Sequence, residues 1–296
     1  MAISSALNAF ALRLARYVVE DLNKGKLLYA GGDDAMAMVS VDDLLRTMMT
    51  LRLAYSGSFP VGEHAVDDAR KRLGMDDRAI PKQRRLQLGG GHALLGSRLH
   101  RLMGHRATAS IGAVVAHHTT PLGSVMRELR AMEKQAKREG GRDAFAIKIM
   151  KRAGGDLSLT LPWRLSDQCE QRDWPALADT PMGKLLGLRD ALAHPALSRR
   201  ITYIAQQWLP QLPTPAQFDD PASYRMMLAD TLAYQFNRQG GSAAMGVDLA
   251  GLVMDLWGME AFKHQSPTAI LENVLGVTEF LAREGRSRQE ENGNDR

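Results

Sequence analysis

Two aspartates, Asp33 and Asp34, follow two glycines in the run Leu28-Tyr29-Ala30-Gly31-Gly32-Asp33-Asp34-Ala35-Met36-Ala37. Adjacent carboxylates repel, and each raises the pKa of the other unless a divalent cation sits between them and a phosphate. Gly31 and Gly32 have no side chain to keep a backbone and a triphosphate apart. This donor set suits nucleotidyl transfer, in which Mg²⁺ or Mn²⁺ joins protein carboxylates to phosphate oxygens and stabilises the attacking hydroxyl and the departing pyrophosphate. Taken alone, the four residues also fit a plain turn with solvated carboxylates.

Other chemistry-bearing residues form weaker patterns. His117-His118 follows an apolar strand without a Cys or Glu ligand nearby, which favours a structural role over a metal site. Gly25-Lys26 and Gly183-Lys184 are each followed by leucine, so no phosphate-binding P-loop is present. Cys169 is the single cysteine, which excludes an internal disulfide or cysteine zinc cluster and fits a reducing cytoplasm.

The aspartates need a hairpin to carry them. Lys26 to Ala30 and Ala35 to Val41 read as strands joined by Gly31-Gly32-Asp33-Asp34. Before them, Leu7, Phe10, Ala11, Leu14, Tyr17 and Val18 recur at helical spacing, and a second helix follows from about 42 to 54. Residues 107–117 read as a buried strand, and a helix begins after Pro121 and ends at Gly140-Gly141. Two more strands flank Gly154-Gly155. That order predicts an α+β fold, a mainly antiparallel sheet with helices on one face, over residues 1–161. From 162 to 283 the strand signal stops and five helical segments separated by Pro and Gly predict an all-α bundle. The polar tail 284–296 reads as disordered.

With 45% hydrophobic and 24% charged residues, the 296-residue composition is that of globular protein and excludes a wholly disordered chain. No run approaches 18 apolar residues and no signal peptide is evident, so a cytoplasmic location is expected. The charge is concentrated. Between residues 56 and 106, a glycine-rich insertion expected to be irregular, ten Lys or Arg face five acids, an excess equal to the net charge of +5. Such a segment suits a phosphate backbone, with Arg84, Arg85, Arg98 and Arg101 as candidate RNA contacts. A solvated loop kept soluble by arginines is the alternative.

The chain resembles the C-terminal part of the large, polymerase-like subunit of type III CRISPR effector complexes, most closely the type III-B (Cmr) form. The matching stretches are Ile3 to Ala11, Gly25 to Met38, Ala107 to Leu122, and Glu133 to Ile147 with Lys151-Arg152-Ala153-Gly154, in family order. The resemblance implies a palm domain related to nucleotide cyclases that makes cyclic oligoadenylate from ATP when guide RNA pairs with target RNA. It implies Asp33 and Asp34 as catalytic metal ligands and Gly31 and Gly32 beneath the nucleotide. Ser110 and Gly112 would lie on the strand beside the hairpin, and Lys134, Lys137 and Arg142 near the triphosphate, although a solvated basic helix end explains those three equally well. The helical domain would pack against small subunits of the complex.

Palms of this kind carry a further metal-binding aspartate on a strand before the first helix, and no such strand stands in this sequence. The expectation is a palm lacking its first strand, active only when completed by an N-terminal portion. A scaffold that binds guide RNA and small subunits without catalysis is the second reading. A diguanylate cyclase ranks lower, because its signature continues Glu-Phe where this chain has Asp34-Ala35.

Overall fold

The computed structural model describes residues 2–76, 80–81, 85–152, 154–165, 173–195, 197–198, 200–239, 243–257 and 267–284. Arg84, Cys169 and 285–296 lie outside the described residues. Among the described residues, strands form three hydrogen-bonded sheets, and no helix is long and apolar enough to cross a membrane. The chain divides into two compact units. One comprises Met1–Ile111, Gly141–Ala144 and Trp163–Met182; the other comprises Gly112–Gly140, Phe145–Pro162 and Gly183–Arg296.

In the first unit, helix α1 (Ala2–Ala9) runs on through two π-helical turns, Phe10–Leu14 and Tyr17–Asp21. Its apolar residues are buried as the spacing predicts, Phe10, Ala11, Leu14, Tyr17 and Val18 among them. Strands β1 (Gly25–Gly31) and β2 (Asp34–Val39) pair antiparallel as a two-stranded sheet. Gly25 sits where a Cβ would lie 2.8 Å from the Met38 carbonyl oxygen and 2.9 Å from Val19 Cγ1, so only glycine permits this approach of hairpin to helix. The hairpin base is held by Asp43, whose Oδ2 accepts the Lys24 amide at 2.6 Å and whose Oδ1 pairs with Arg46. Helix α2 (Leu44–Ser56) follows a short 3₁₀ turn at Val41–Asp43 and is buried along most of its length.

The insertion is more regular than its composition suggests. It contains α3 (Glu63–Arg72) and a meander of β3 (Leu86–Gly89), β4 (His92–Leu95) and β5 (Arg98–Arg101), antiparallel throughout. The glycines that suggested a loop make its turns. Gly90 and Gly91 both have positive φ, 58° and 79°, which closes β3 onto β4 in the two-residue pattern that matches strand twist. Backbone bonds from Gly91 to Gly57 at 3.0 Å and from Gly104 to Ser56 at 3.0 Å fasten the meander to the end of α2. Arg52 on α2 is fully buried against Asp143, with Arg164 on the other Asp143 oxygen and both guanidiniums over the Trp174 ring, near 5 Å.

The second unit holds β6 (Ile111–Val115, from Gly112 on), α4 (Leu122–Arg138), β7 (Ala144–Met150, from Phe145 on) and β8 (Asp156–Pro162). The strand order β6-β7-β8 puts β7 at the centre, and Met132 and Ala136 of α4 pack with Ala146 and Val114. Strand β6 is shorter than expected from 107–117, because only its centre is paired. Helices α5 (Pro181–Leu192, from Gly183 on), α6 (Ile201–Trp208), α7 (Pro221–Arg238), α8 (Ala243–Trp257) and α9 (Pro267–Glu284) follow at the expected places. Asp220 caps α7 by accepting the Ser223 amide at 2.8 Å, with Pro221 at its first position. At Gly246 a Cβ would lie 2.8 Å from the Ala233 carbonyl oxygen, so a glycine lets α7 and α8 approach closely. Mixed α+β structure followed by helices is the fold class the sequence pattern predicts.

Candidate metal and nucleotide site

At the hairpin tip Gly31 pairs with Asp34, which narrows the connection to the two residues Gly32 and Asp33. Gly32 has φ +61° and Asp33 has an ordinary negative φ, so the glycine takes the one turn position that disfavours a side chain. Asp33 and Asp34 are exposed, and neither forms an ion pair among the described residues. Their charges act on Tyr55 of α2. Burial raises its phenol above the ordinary range, and the negative charges of Asp33 and, more weakly, Asp34 push the same way against Arg52. The Tyr55 ring is fixed edge-on against Phe10, with centroids 5.2 Å apart.

A bulge interrupts β1 between Leu27 and Tyr29. The Leu27 amide donates to Glu20 Oε1 at 3.2 Å, where Lys26 also binds at 3.0 Å, while Arg16 holds Oε2 at 2.9 Å. These donors hold the Glu20 carboxyl at about 2, against an ordinary 4.5. Beyond the bulge, Tyr29 is 56% exposed. A Cβ on Gly31 would lie 2.5 Å from the Tyr29 hydroxyl and 2.9 Å from Cζ, so the ring lies along the face that Gly31 leaves bare. Nothing lies within 4 Å of the same position on Gly32. The open glycine is therefore Gly32, whereas Gly31 accommodates Tyr29.

Two exposed, unpaired carboxylates are hard oxygen donors and fit Mg²⁺ or Mn²⁺, which fill their remaining positions with phosphate oxygens and water. Among the described residues, no group of three His, Cys, Asp or Glu gathers to hold a metal.

The remaining predicted residues fall in several places. Ser110 Oγ–H donates to the Arg142 carbonyl at 2.9 Å, which brings these two together. Arg142 has φ +69°, the only positive φ of a non-glycine residue among those described, and follows Gly141 at +77° in the turn after α4. Gly112 directs its bare side at α4: a Cβ would lie 2.9 Å from both Glu133 Cα and Met132 C, so close strand-helix packing already requires glycine there. Lys137 pairs with Glu133 at 2.5 Å, and Lys134 is exposed on the same helix. Arg85 donates to the Ile80 carbonyl at 3.3 Å and meets Asp76 at 3.7 Å. Arg98 and Arg101 are exposed on edge strand β5 without an ion pair among the described residues, and their three-residue spacing puts them on opposite faces. His117 and His118 stack at 4.2 Å, and His117 Nδ1 meets Thr119 Oγ1 at 2.8 Å. Glu20, Asp43, Tyr55 and Tyr29 escaped sequence reasoning, because no local spacing relates the first three to the hairpin; only Tyr29, on the motif's own strand, left a signal.

Residues 1–69 and 94–146 match the family model for the Cas10/Cmr2 second palm domain. Over these residues the chain is similar to a Cas10/Cmr2 second palm domain. The palm match covers β1, the Gly-Gly-Asp-Asp turn, β2 and α2, passes over 70–93 inside the basic insertion, and resumes within β4. The CRISPR system Cmr subunit Cmr2 of Pyrococcus furiosus is 28% identical over 166 residues, 56% of this chain. A chain of the type III-B Cmr-β complex, solved by cryo-electron microscopy in the apo state, superposes over 97% of this chain with TM-score 0.57 and 17% identity, a likeness of fold. The chain spans 14% of the Pyrococcus protein and 26% of the superposed chain.

Proposed function

We propose that this chain is part of the large subunit of a type III-B CRISPR RNA-guided effector, and that its hairpin serves metal-dependent synthesis of cyclic oligoadenylate from ATP. The observation that carries the reading is the pair Asp33 and Asp34, exposed and unpaired at a glycine turn inside the palm match. Asp33 and Asp34 hold Mg²⁺ or Mn²⁺, which when bound lowers the barrier to attack by a hydroxyl and to departure of pyrophosphate. Gly32 leaves the turn open to the triphosphate, and the Glu20 and Asp43 anchors keep the tip in place before substrate arrives. Guide RNA, target RNA and the other subunits are the partners, with Arg84, Arg85, Arg98 and Arg101 meeting RNA phosphate.

In an effector reconstituted with guide RNA, target RNA, ATP and Mn²⁺, replacing both aspartates by alanine abolishes cyclic product. Unchanged product overturns the assignment. Both side chains lie exposed at a turn, so their removal leaves folding largely intact. A second reading is favoured by the lack of a third metal-ligating carboxylate beside the pair among the described residues: a scaffold module that binds RNA and small subunits. On that reading the unmutated effector assembles on RNA and releases no cyclic product.

A further inference from the structure

We infer that Tyr29 is the platform on which the base of the nucleoside triphosphate stacks, and that it recognises the base while the aspartates hold the phosphates. The inference rests on the nucleotide reading of the hairpin and deepens it. Strand alternation puts Tyr29 and Gly31 on one face of β1, and ladder pairing puts Asp34 on that same face, because directly paired residues project to one side. The 2.5 Å from the Tyr29 hydroxyl to a Cβ position on Gly31 fixes the ring along this face, leaning toward the tip.

Two residues along a strand span ~7 Å, so Tyr29 is rooted about that far from the Gly31–Asp34 pair and its ring fills the interval toward it, placing an aromatic surface next to the carboxylate. Met36, paired with Tyr29, and Met38 continue the same face, and Met38 is 64% exposed. The opposite face is turned to the first helix, as the tight fit of Gly25 against Val19 shows. The face bearing Tyr29 and Asp34 is thus the open one. An exposed tyrosine offers a flat aromatic surface with few rotamers to freeze, and a base gains from stacking on it whatever its hydrogen-bonding edge. The glycine at 31 has a definite purpose in this arrangement. A side chain there would displace the ring from its place beside Asp34.

The test compares ATP with inorganic tripolyphosphate, each with Mg²⁺, by equilibrium binding to the full-length subunit that carries this segment. Replacing Tyr29 by alanine is expected to weaken ATP binding about tenfold, the scale of one base-aromatic stack, and to leave tripolyphosphate affinity unchanged. Tyr29→Phe retains the ring and ATP affinity, and Gly31→Ala shifts ATP affinity in the direction of the alanine variant. Asp33→Asn with Asp34→Asn weakens both ligands. If Tyr29→Ala binds ATP as the parent does while the double aspartate variant loses it, the stacking inference is overturned and the metal reading stands. If the double aspartate variant binds both ligands undiminished, or the parent binds neither, the nucleotide reading itself fails. Equal losses of both ligands in Tyr29→Ala show that the ring supports the hairpin and does not read the base.

Discussion

The backbone amide of Leu27 donates to Glu20 Oε1 at 3.2 Å and fastens the bulge of β1 to the last turn of the first helix. A backbone amide without a ladder acceptor is costly unless another group accepts it. Here one carboxylate accepts that amide and two cations as well. The position of the aspartate tip therefore depends on a glutamate seven residues before the bulge in sequence.

The Glu20 anchor makes the hairpin acid-sensitive. Its carboxyl is held at about 2 against an ordinary 4.5, with Lys26 as the largest cause. A lowered carboxyl pKa contributes stability that is fully present above the ordinary value and is lost as pH falls toward the folded one. The difference in thermal stability between the parent and Glu20→Gln is therefore largest at neutral pH and shrinks from pH 4.5 down toward 2. A difference that stays constant over that range contradicts the role of the charge.

Asp143 faces two buried guanidiniums, Arg52 at 2.8 Å and Arg164 at 3.4 Å, stacked on Trp174. Burial lowers the Arg52 pKa, and the charge of Asp143 opposes that shift. Asp143→Asn leaves two buried cations uncompensated and is expected to cost about 3–5 kcal/mol. Chemical denaturation monitored by tryptophan fluorescence measures it, and a loss under about 1 kcal/mol would mean that the guanidiniums find other partners.

Gly57 combines φ +68° with a Cβ position only 2.6 Å from the Gly91 carbonyl carbon. That carbon, like the His92 nitrogen at 2.7 Å, is backbone and not a flexible side-chain end. Gly57→Ala is expected to destabilise the chain by more than about 1 kcal/mol and to release the meander from α2, read as faster hydrogen exchange at the Gly91 and Leu102 amides.

Gly112→Ala separates packing from ligand binding. A Cβ there meets the α4 backbone, so the variant should lose about 1–3 kcal/mol of stability by overpacking. Unchanged stability with altered nucleotide binding would return Gly112 to the substrate side.

For the basic segment, replacing Arg84, Arg85, Arg98 and Arg101 together should weaken RNA binding and flatten its dependence on salt, by roughly 0.7 to 0.9 in slope for each phosphate that is no longer neutralised. Arg85→Ala alone should contribute least, because Arg85 is engaged with Ile80 and Asp76. Affinity and slope that both stay put exclude a role for these arginines in RNA binding.

The hairpin, the long helices and the adjacent aspartates were legible in the residues themselves. Each is a local matter: period 2 or 3.6 in the apolar residues, a glycine where φ must be positive, a proline where a helix begins. The meander was less legible. Four-residue strands such as Arg98-Leu99-His100-Arg101 are too short and too polar for alternation to show, and the pairing across Gly90-Gly91 and Gly96-Ser97 makes them strands. Only the tertiary structure decided that Asp43 clamps the hairpin base 19 residues away from Lys24, that Tyr55 lies within the field of Asp33, that Gly31 accommodates Tyr29, and that Gly112 packs against α4. Sequence spacing governs which side chains share a face of one element. Which elements meet, and how closely, follows from burying those faces against one another, and that is settled by the packed chain as a whole.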